Sequence, residues 1–283
     1  MKKLIATVLA ASAIFALAAC GVKTQETDDG KLHIVVTTDA LYELANIAGG
    51  DRVSVVNIAN GAEPHDFEPK PKDIEAIQEA DLFIYNGLGI DVWAEGVDAP
   101  NSLAAAEIGD NAIDGDPHMW LSPSGAFLMI ESISEMLVEL EPESKDYFVE
   151  KFAAFMAEMA ELVTEFTPKF DAATRKTFVT GHAALGYLAR DFGLEQKSVE
   201  DVFASGEPTA KQLAELAEYC NANGIKIILA EEAASKAVSE TLARECGAGI
   251  STIYTMERAE DGLGFVDRMR NNLETVLEAL STT

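Results

Sequence analysis

Three of the chain's four histidines stand where a backbone turn would present them to one another. His65 lies in Gly61-Ala62-Glu63-Pro64-His65-Asp66, His118 in Asp116-Pro117-His118-Met119-Trp120, and His182 in Val179-Thr180-Gly181-His182-Ala183. Each follows an apolar or extended run, is flanked by Gly or Pro, and comes just before a helical pattern. A neutral imidazole is the commonest protein ligand for zinc, and three imidazoles with one carboxylate complete a tetrahedral set. One such histidine alone would read as a surface or capping residue. Three in the same kind of turn point to a metal. The fourth, His33, lies inside a predicted strand and is expected to be structural.

A carboxylate must complete the set, and two places offer one directly after a predicted strand: the pair Glu231-Glu232, and Glu257. Glu63, two residues before His65, is expected to cap its loop rather than reach the metal. Imidazole and carboxylate together suit Zn2+ or Mn2+, whereas a site without thiolate argues against copper(I). Trp93 and Trp120 read as packing residues near the cleft.

The elements that must position these groups alternate along the chain. Short β-branched runs at 32–37, 53–58, 82–85, 176–180, 226–230 and 250–254 read as strands. Helical spacing appears at 39–48, 72–79, 182–192, 210–223, 235–246 and 263–280. Ser122-Pro123 opens a further helix to about 140, with a capping residue followed by proline at the first helical position. The Gly- and Asp-rich stretch 98–115 reads as a loop. Strands alternating with helices at this spacing imply parallel sheets built from βαβ units. Residues 143–166 break the rhythm: apolar positions recur at steps of three and four, predicting one long amphipathic helix that ends near Pro168.

The expected fold is therefore α/β, with two lobes, each a parallel sheet flanked by helices, joined by one long rigid helix. Its divisions are a signal peptide at 1–19, a flexible tether at 20–30, an N-terminal lobe at 31–142, the linking helix at 143–168 and a C-terminal lobe at 169–283. Ligands of open parallel sheets bind beyond the carboxyl ends of the strands. His65 and His118 from one lobe, with His182 and a glutamate from the other, would place the metal in the cleft between lobes.

The N-terminal segment says where such a protein works. Lys2 and Lys3 precede an unbroken apolar or small-residue stretch, and Leu17-Ala18-Ala19-Cys20-Gly21 matches a lipoprotein cleavage site. The stretch is too short for a spanning helix and reads as an export signal, leaving Cys20 lipid-modified. Lys and Arg number 21 against 48 Asp and Glu, a formal charge of −27, so nucleic acid is excluded as a partner by repulsion. Export also permits a disulfide between Cys220 and Cys246, although sequence cannot bring their Cα atoms within reach.

Taken in order, several motifs resemble the metal-specific substrate-binding lipoproteins of ABC importers, which bind zinc or manganese. They are Gly61-Ala62-Glu63-Pro64-His65, Asn86-Gly87-Leu88-Gly89-Ile90-Asp91-Val92-Trp93, Asp116-Pro117-His118-Met119-Trp120 and Thr180-Gly181-His182-Ala183-Ala184, followed by Gly206-Glu207-Pro208-Thr209 and Met269-Arg270-Asn271-Asn272-Leu273. The resemblance implies metal ligands at His65, His118 and His182. Manganese members carry Asp in the last strand-to-helix loop; here Thr255-Met256-Glu257 resembles the zinc branch, some of whose members are called laminin-binding adhesins. That similarity implies Glu257 as fourth ligand and Zn2+ as cargo, with Mn2+ or iron the alternative. It also implies an ABC permease and its ATPase as partners, a lipid anchor on the outer face of the cytoplasmic membrane, and a monomer. The His-rich loop of many zinc binders is missing, since 96–115 holds no histidine. A hydrolytic zinc site is disfavoured because nothing resembles His-Glu-x-x-His. The other alternative is a surface adhesin with a merely structural zinc, which need neither exchange the ion reversibly nor support growth under chelation.

Overall fold

Eight strands form two parallel four-stranded sheets in the computed structural model, which describes residues 30–113, 115–203, 209–231, 236–257 and 262–282. The signal segment, Cys20, Glu232 and Gly206-Glu207-Pro208 lie outside the described residues. The first sheet holds β1 (Leu32–Val36), β2 (Val53–Asn57), β3 (Leu82–Tyr85) and β4 (Ser102–Ala104) in the order β2-β1-β3-β4. The second holds β5 (Thr177–Thr180), β6 (Glu195–Ser198), β7 (Ile227–Glu231) and β8 (Gly249–Ile253) in the order β6-β5-β7-β8. The halves share one strand order although their sequences do not repeat.

Parallel neighbours require crossover connections, and helices supply most of them. They are α1 (Asp39–Gly49) and α2 (Pro71–Glu79) in the first half, and α5 (Gly186–Asp191), α6 (Ala210–Asn223) and α7 (Lys236–Cys246) in the second. Between the halves run α3 (Pro123–Leu140) and α4 (Lys145–Ala172), and α8 (Phe265–Ser281) closes the chain. The start of α3 is built as its sequence implies: Ser122 Oγ accepts the Gly125 N–H at 3.0 Å, and Pro123 follows the cap.

Helix α4 has 28 residues and so spans about 42 Å. Its buried stripe, Phe148, Phe155, Met159, Leu162, Phe166 and Phe170, packs against α1 and α3 on one side and α8 on the other. One apolar cluster consequently takes Ile34 and Ile84 from the first sheet together with Phe178 and Leu229 from the second. Direct bonds add to it. Arg268 of α8 pairs with Glu43 of α1 at 2.5 Å, and the Ser124 N–H donates to Asp191 at 2.9 Å. A shared core of this kind resists wide hinge opening.

Four expectations need correction. Helix α4 does not end near Pro168 but continues to Ala172. Proline removes one donor at a cost of about 3 kcal/mol. Full burial of Phe166 and Phe170 on either side outweighs it, at roughly 1.5–3 kcal/mol each. Lys176 then caps the freed C-terminal carbonyls of Phe170 and Asp171. The helix expected from His182 begins only at Gly186, because His182 belongs to the turn before it. Two strands were not anticipated: β4 is three residues long inside the supposed loop, and β6 reads Glu-Gln-Lys-Ser, with no β-branched or aromatic residue to signal it.

Candidate metal centre

Every candidate side chain stands beyond the carboxyl end of a strand, as the topology requires. His65 follows β2, His118 follows β4, His182 follows β5 and Glu257 follows β8. Each offers one nitrogen or oxygen to a cluster in which all four atoms lie within 4.8 Å of one another. Glu257 Oε1 is 3.6 Å from His118 Nε2 and 3.7 Å from His65 Nε2. An ion about 2.0–2.1 Å from each donor of a tetrahedron would separate the donors by about 3.3–3.4 Å, a spacing that the two Glu257 contacts already approach.

The strongest sign that the cluster is built for a cation is what these atoms lack. Both ring nitrogens of His65, Nε2 of His118, Nε2 of His182 and Oε1 of Glu257 are buried without a hydrogen-bond partner. Orphaned buried polar groups are costly, and here one donor atom from each of the four side chains faces the same cluster.

Around them the sequence supplies local supports. Gly61, at φ 75°, permits the left-handed bend before the 3-10 turn Pro64–Asp66 that presents His65. Glu63 occupies the cap position of that turn without a side-chain capping bond, its backbone carbonyl accepting from Asp66. Asp116 Oδ1 accepts from both the His118 backbone N–H, at 2.9 Å, and His118 Nδ1, at 2.8 Å. That bond assigns a proton to Nδ1 and turns Nε2 toward the cluster. Tyr187 of α5 donates to the Asp116 carbonyl at 2.7 Å, tying this loop to the other lobe. Asn86 Nδ2 donates to the Pro117 carbonyl at 3.0 Å, while Asp91 accepts from the Asn86 and Gly87 N–H groups. The Asn86-to-Asp91 motif thereby serves the His118 loop.

Glu231, one of the two carboxylate candidates, stands behind a histidine instead of at the cluster. Its Oε1 accepts from the His182 backbone N–H and lies 3.2 Å from His182 Nδ1, the latter a close ionic approach without hydrogen-bond alignment. A Cβ on Gly181 would sit 2.7 Å from Glu231 Oε2, which explains the glycine before His182. Of the aromatic pair, Trp120 is fully buried with its ring 5.3 Å from that of His118, and Trp93 packs in a separate apolar cluster. His33 is exposed on β1, away from the cluster, and Cys220 and Cys246 are free thiols in one apolar cluster of the second half. Partners that orient the ligand histidines were expected, but the sequence did not identify them as Asp116 and Asn86. Glu231 was read as a rival to Glu257, and the structure places it against His182.

Electrostatics agree with a cation site. Burial opposes charge on His118, but the hydrogen bond to Asp116 and the negative charges of Asp116 and Glu257 beside the ring prevail and raise its pKa to about 9. Burial likewise opposes ionisation of Glu257, yet the His118 and His65 rings within 3.7 Å of its Oε1 hold it well below the usual carboxylate range. Without metal, a proton stands in for part of the missing positive charge.

Two parallel-sheet halves on a shared helix, with three imidazoles and a carboxylate between them, define a metal-binding protein of the two-lobed solute-binding class. The chain matches the family of periplasmic component A of the zinc-uptake complex, ZnuA, over residues 34–279, and belongs to that family. It is 31% identical to the high-affinity zinc uptake system protein ZnuA of Bacillus subtilis, with 95% of each chain covered. A solved structure of the laminin-binding protein Lmb of Streptococcus agalactiae, described as bifunctional with adhesin and metal transporting activity, superposes with a TM-score of 0.83. That pair is 32% identical, with 88% of this chain and 99% of that one covered. The Zn(II)-bound ZnuA-like domain of Streptococcus pneumoniae AdcA gives a TM-score of 0.78 at 31% identity, with 89% and 100% covered. The family is a solute-binding transport component that works with an ABC permease and its ATPase.

Proposed function

We propose that His65, His118, His182 and Glu257 capture one Zn2+ in the interlobe cleft and that the chain delivers it to a membrane permease. The observation that carries this is the convergence of buried, partnerless donor atoms from four strand ends. Four protein donors complete a tetrahedral zinc, which suits holding the ion, whereas a catalytic site keeps one position open for water. All four donors come from a single chain, which supports action as a monomer. The shared core limits release to local movement. His65 is the natural mover, because its side chain retains 12% exposure and neither ring nitrogen is held by a hydrogen bond.

The test is metal analysis of protein purified without chelator, followed by competition titration and growth of a deletion strain under zinc limitation. One zinc per chain and a growth defect rescued by added zinc are expected. A protein that takes no zinc, or a deletion strain indifferent to chelation, would sink the reading.

The same proposal includes a membrane anchor, supported by the sequence Leu17-Ala18-Ala19-Cys20. Cys20→Ala should move the protein from the membrane to the soluble fraction. Membrane retention of an unprocessed form would point to an uncleaved helix instead.

A further inference from the structure

Glu257 reaches the cluster on a loop fixed at successive residues. Asn272, fully buried on α8, brackets Tyr254: its Oδ1 accepts the Tyr254 N–H at 2.8 Å and its Nδ2 donates to the Tyr254 carbonyl at 2.7 Å. The next carbonyl, that of Thr255, accepts from Trp120 Nε1 at 2.8 Å, a bond that comes from the loop carrying His118. Met256 then turns the chain in the left-handed region, at φ 58°, with its side chain fully buried. Few non-glycine residues hold that conformation unless their surroundings impose it. Finally the Thr255 hydroxyl, also buried, donates to Glu257 Oε2 at 3.1 Å.

The two oxygens of Glu257 are therefore unequal. Oε2 is engaged by Thr255, while Oε1 has no partner and faces His65 and His118. We propose that Thr255 is a specificity-determining residue: by holding Oε2 it confines Glu257 to a single-oxygen ligand. Trp120 and Asn272 are the positioning residues that keep the threonine from following the carboxylate. With one oxygen from Glu257 the set stays at four donors, the number a tetrahedral zinc requires. A carboxylate free to rotate would present both oxygens and make a fifth contact, toward the oxygen-rich, higher-coordinate environment that manganese favours. This inference rests on the zinc-capture reading above and adds how that site discriminates.

Thr255→Val keeps the branched shape and removes only the hydroxyl. Two measurements on the full chain read its effect: the visible spectrum of the Co2+-loaded protein, which reports coordination number, and zinc-against-manganese competition. Wild-type protein should give a tetrahedral cobalt spectrum. In Thr255→Val the spectrum should weaken toward higher coordination, and the zinc-to-manganese preference should relax by about tenfold, the lower end of what loss of a ligand-orienting partner costs. Thr255→Ser, which retains a hydroxyl, should restore both. A Thr255→Val protein with wild-type spectrum and unchanged preference overturns the assignment. Should that variant not fold, Trp120→Phe removes the N–H that fixes the Thr255 carbonyl. The same shift is then expected, and an unchanged spectrum has the same force against it. Wild-type protein that fails to take zinc would instead defeat the capture reading itself, so the two failures are distinguishable.

Discussion

Replacing His118 by alanine should abolish tight zinc binding, lowering affinity at least a hundredfold. Zinc held by a complete protein set is worth about 10–16 kcal/mol, so each of four ligands contributes on the order of 3 kcal/mol, or two powers of ten. His118 should exceed that share. It is fully buried, its Nδ1 is the partner of Asp116, and its Nε2 is the neighbour of Glu257. Removing it strips an imidazole partner from two buried carboxylates at once, and uncompensated buried charge is strongly unfavourable. His65→Ala should cost less, because its ring neighbours one buried carboxylate, Glu257, rather than two, and solvent already reaches the side chain. A competition assay against a chromophoric chelator would rank the two variants. His118→Ala within tenfold of wild type would remove that residue from the proposed ligand set.

The three histidines were legible because each carries a local signature, a Gly or Pro turn after an extended run, that a single sequence displays. The long helix was legible from its apolar stripe, but not its end. Whether a proline stops a helix depends on what the following turn can bury, and Phe170 finds its place only in the folded core. Glu231 shows a different limit. Its position directly after a strand qualified it as a ligand as well as Glu257 did, and only the packing of β7 beside β5 sends it behind His182. The bonds that hold the Glu257 loop join Trp120 to Thr255 and Asn272 to Tyr254, separations of 135 and 18 residues that no local pattern encodes. Thus the donors were readable as residue types, whereas the partners that aim them depend on tertiary geometry. Strand β6 failed for a simpler reason: four polar residues become a strand because β5 offers an open edge, not because their own propensity asks for it.

Zinc affinity should also fall by about tenfold for each unit of pH below 9, or roughly a thousandfold between pH 8 and pH 5, from His118 alone. Zinc ligates only the neutral imidazole, and in the metal-free site this one keeps its proton up to about pH 9. Binding at neutral pH must therefore expel it. The same group bears on stability with the opposite sign. A histidine whose folded pKa is raised stabilises the metal-free fold fully below its unfolded value of about 6.5, and that contribution is lost as pH rises through about 9. Glu257, held low, stabilises above its usual value of 4.5, and its contribution is lost as pH falls below that. The imidazolium–carboxylate pair thus supports the metal-free protein best between about pH 4.5 and 6.5, where His118 fully holds the proton that zinc must displace. The rise in Tm produced by zinc should accordingly widen steadily from about pH 5.5 to 8.5. Calorimetry at pH 7 in buffers of different ionisation enthalpy should find close to one proton released from His118 per zinc bound. A zinc-induced Tm rise that stays flat across this range, with no proton released, would mean that His118 is neutral before the ion arrives. The Asp116–His118–Glu257 relay would then orient the ligand without holding its charge.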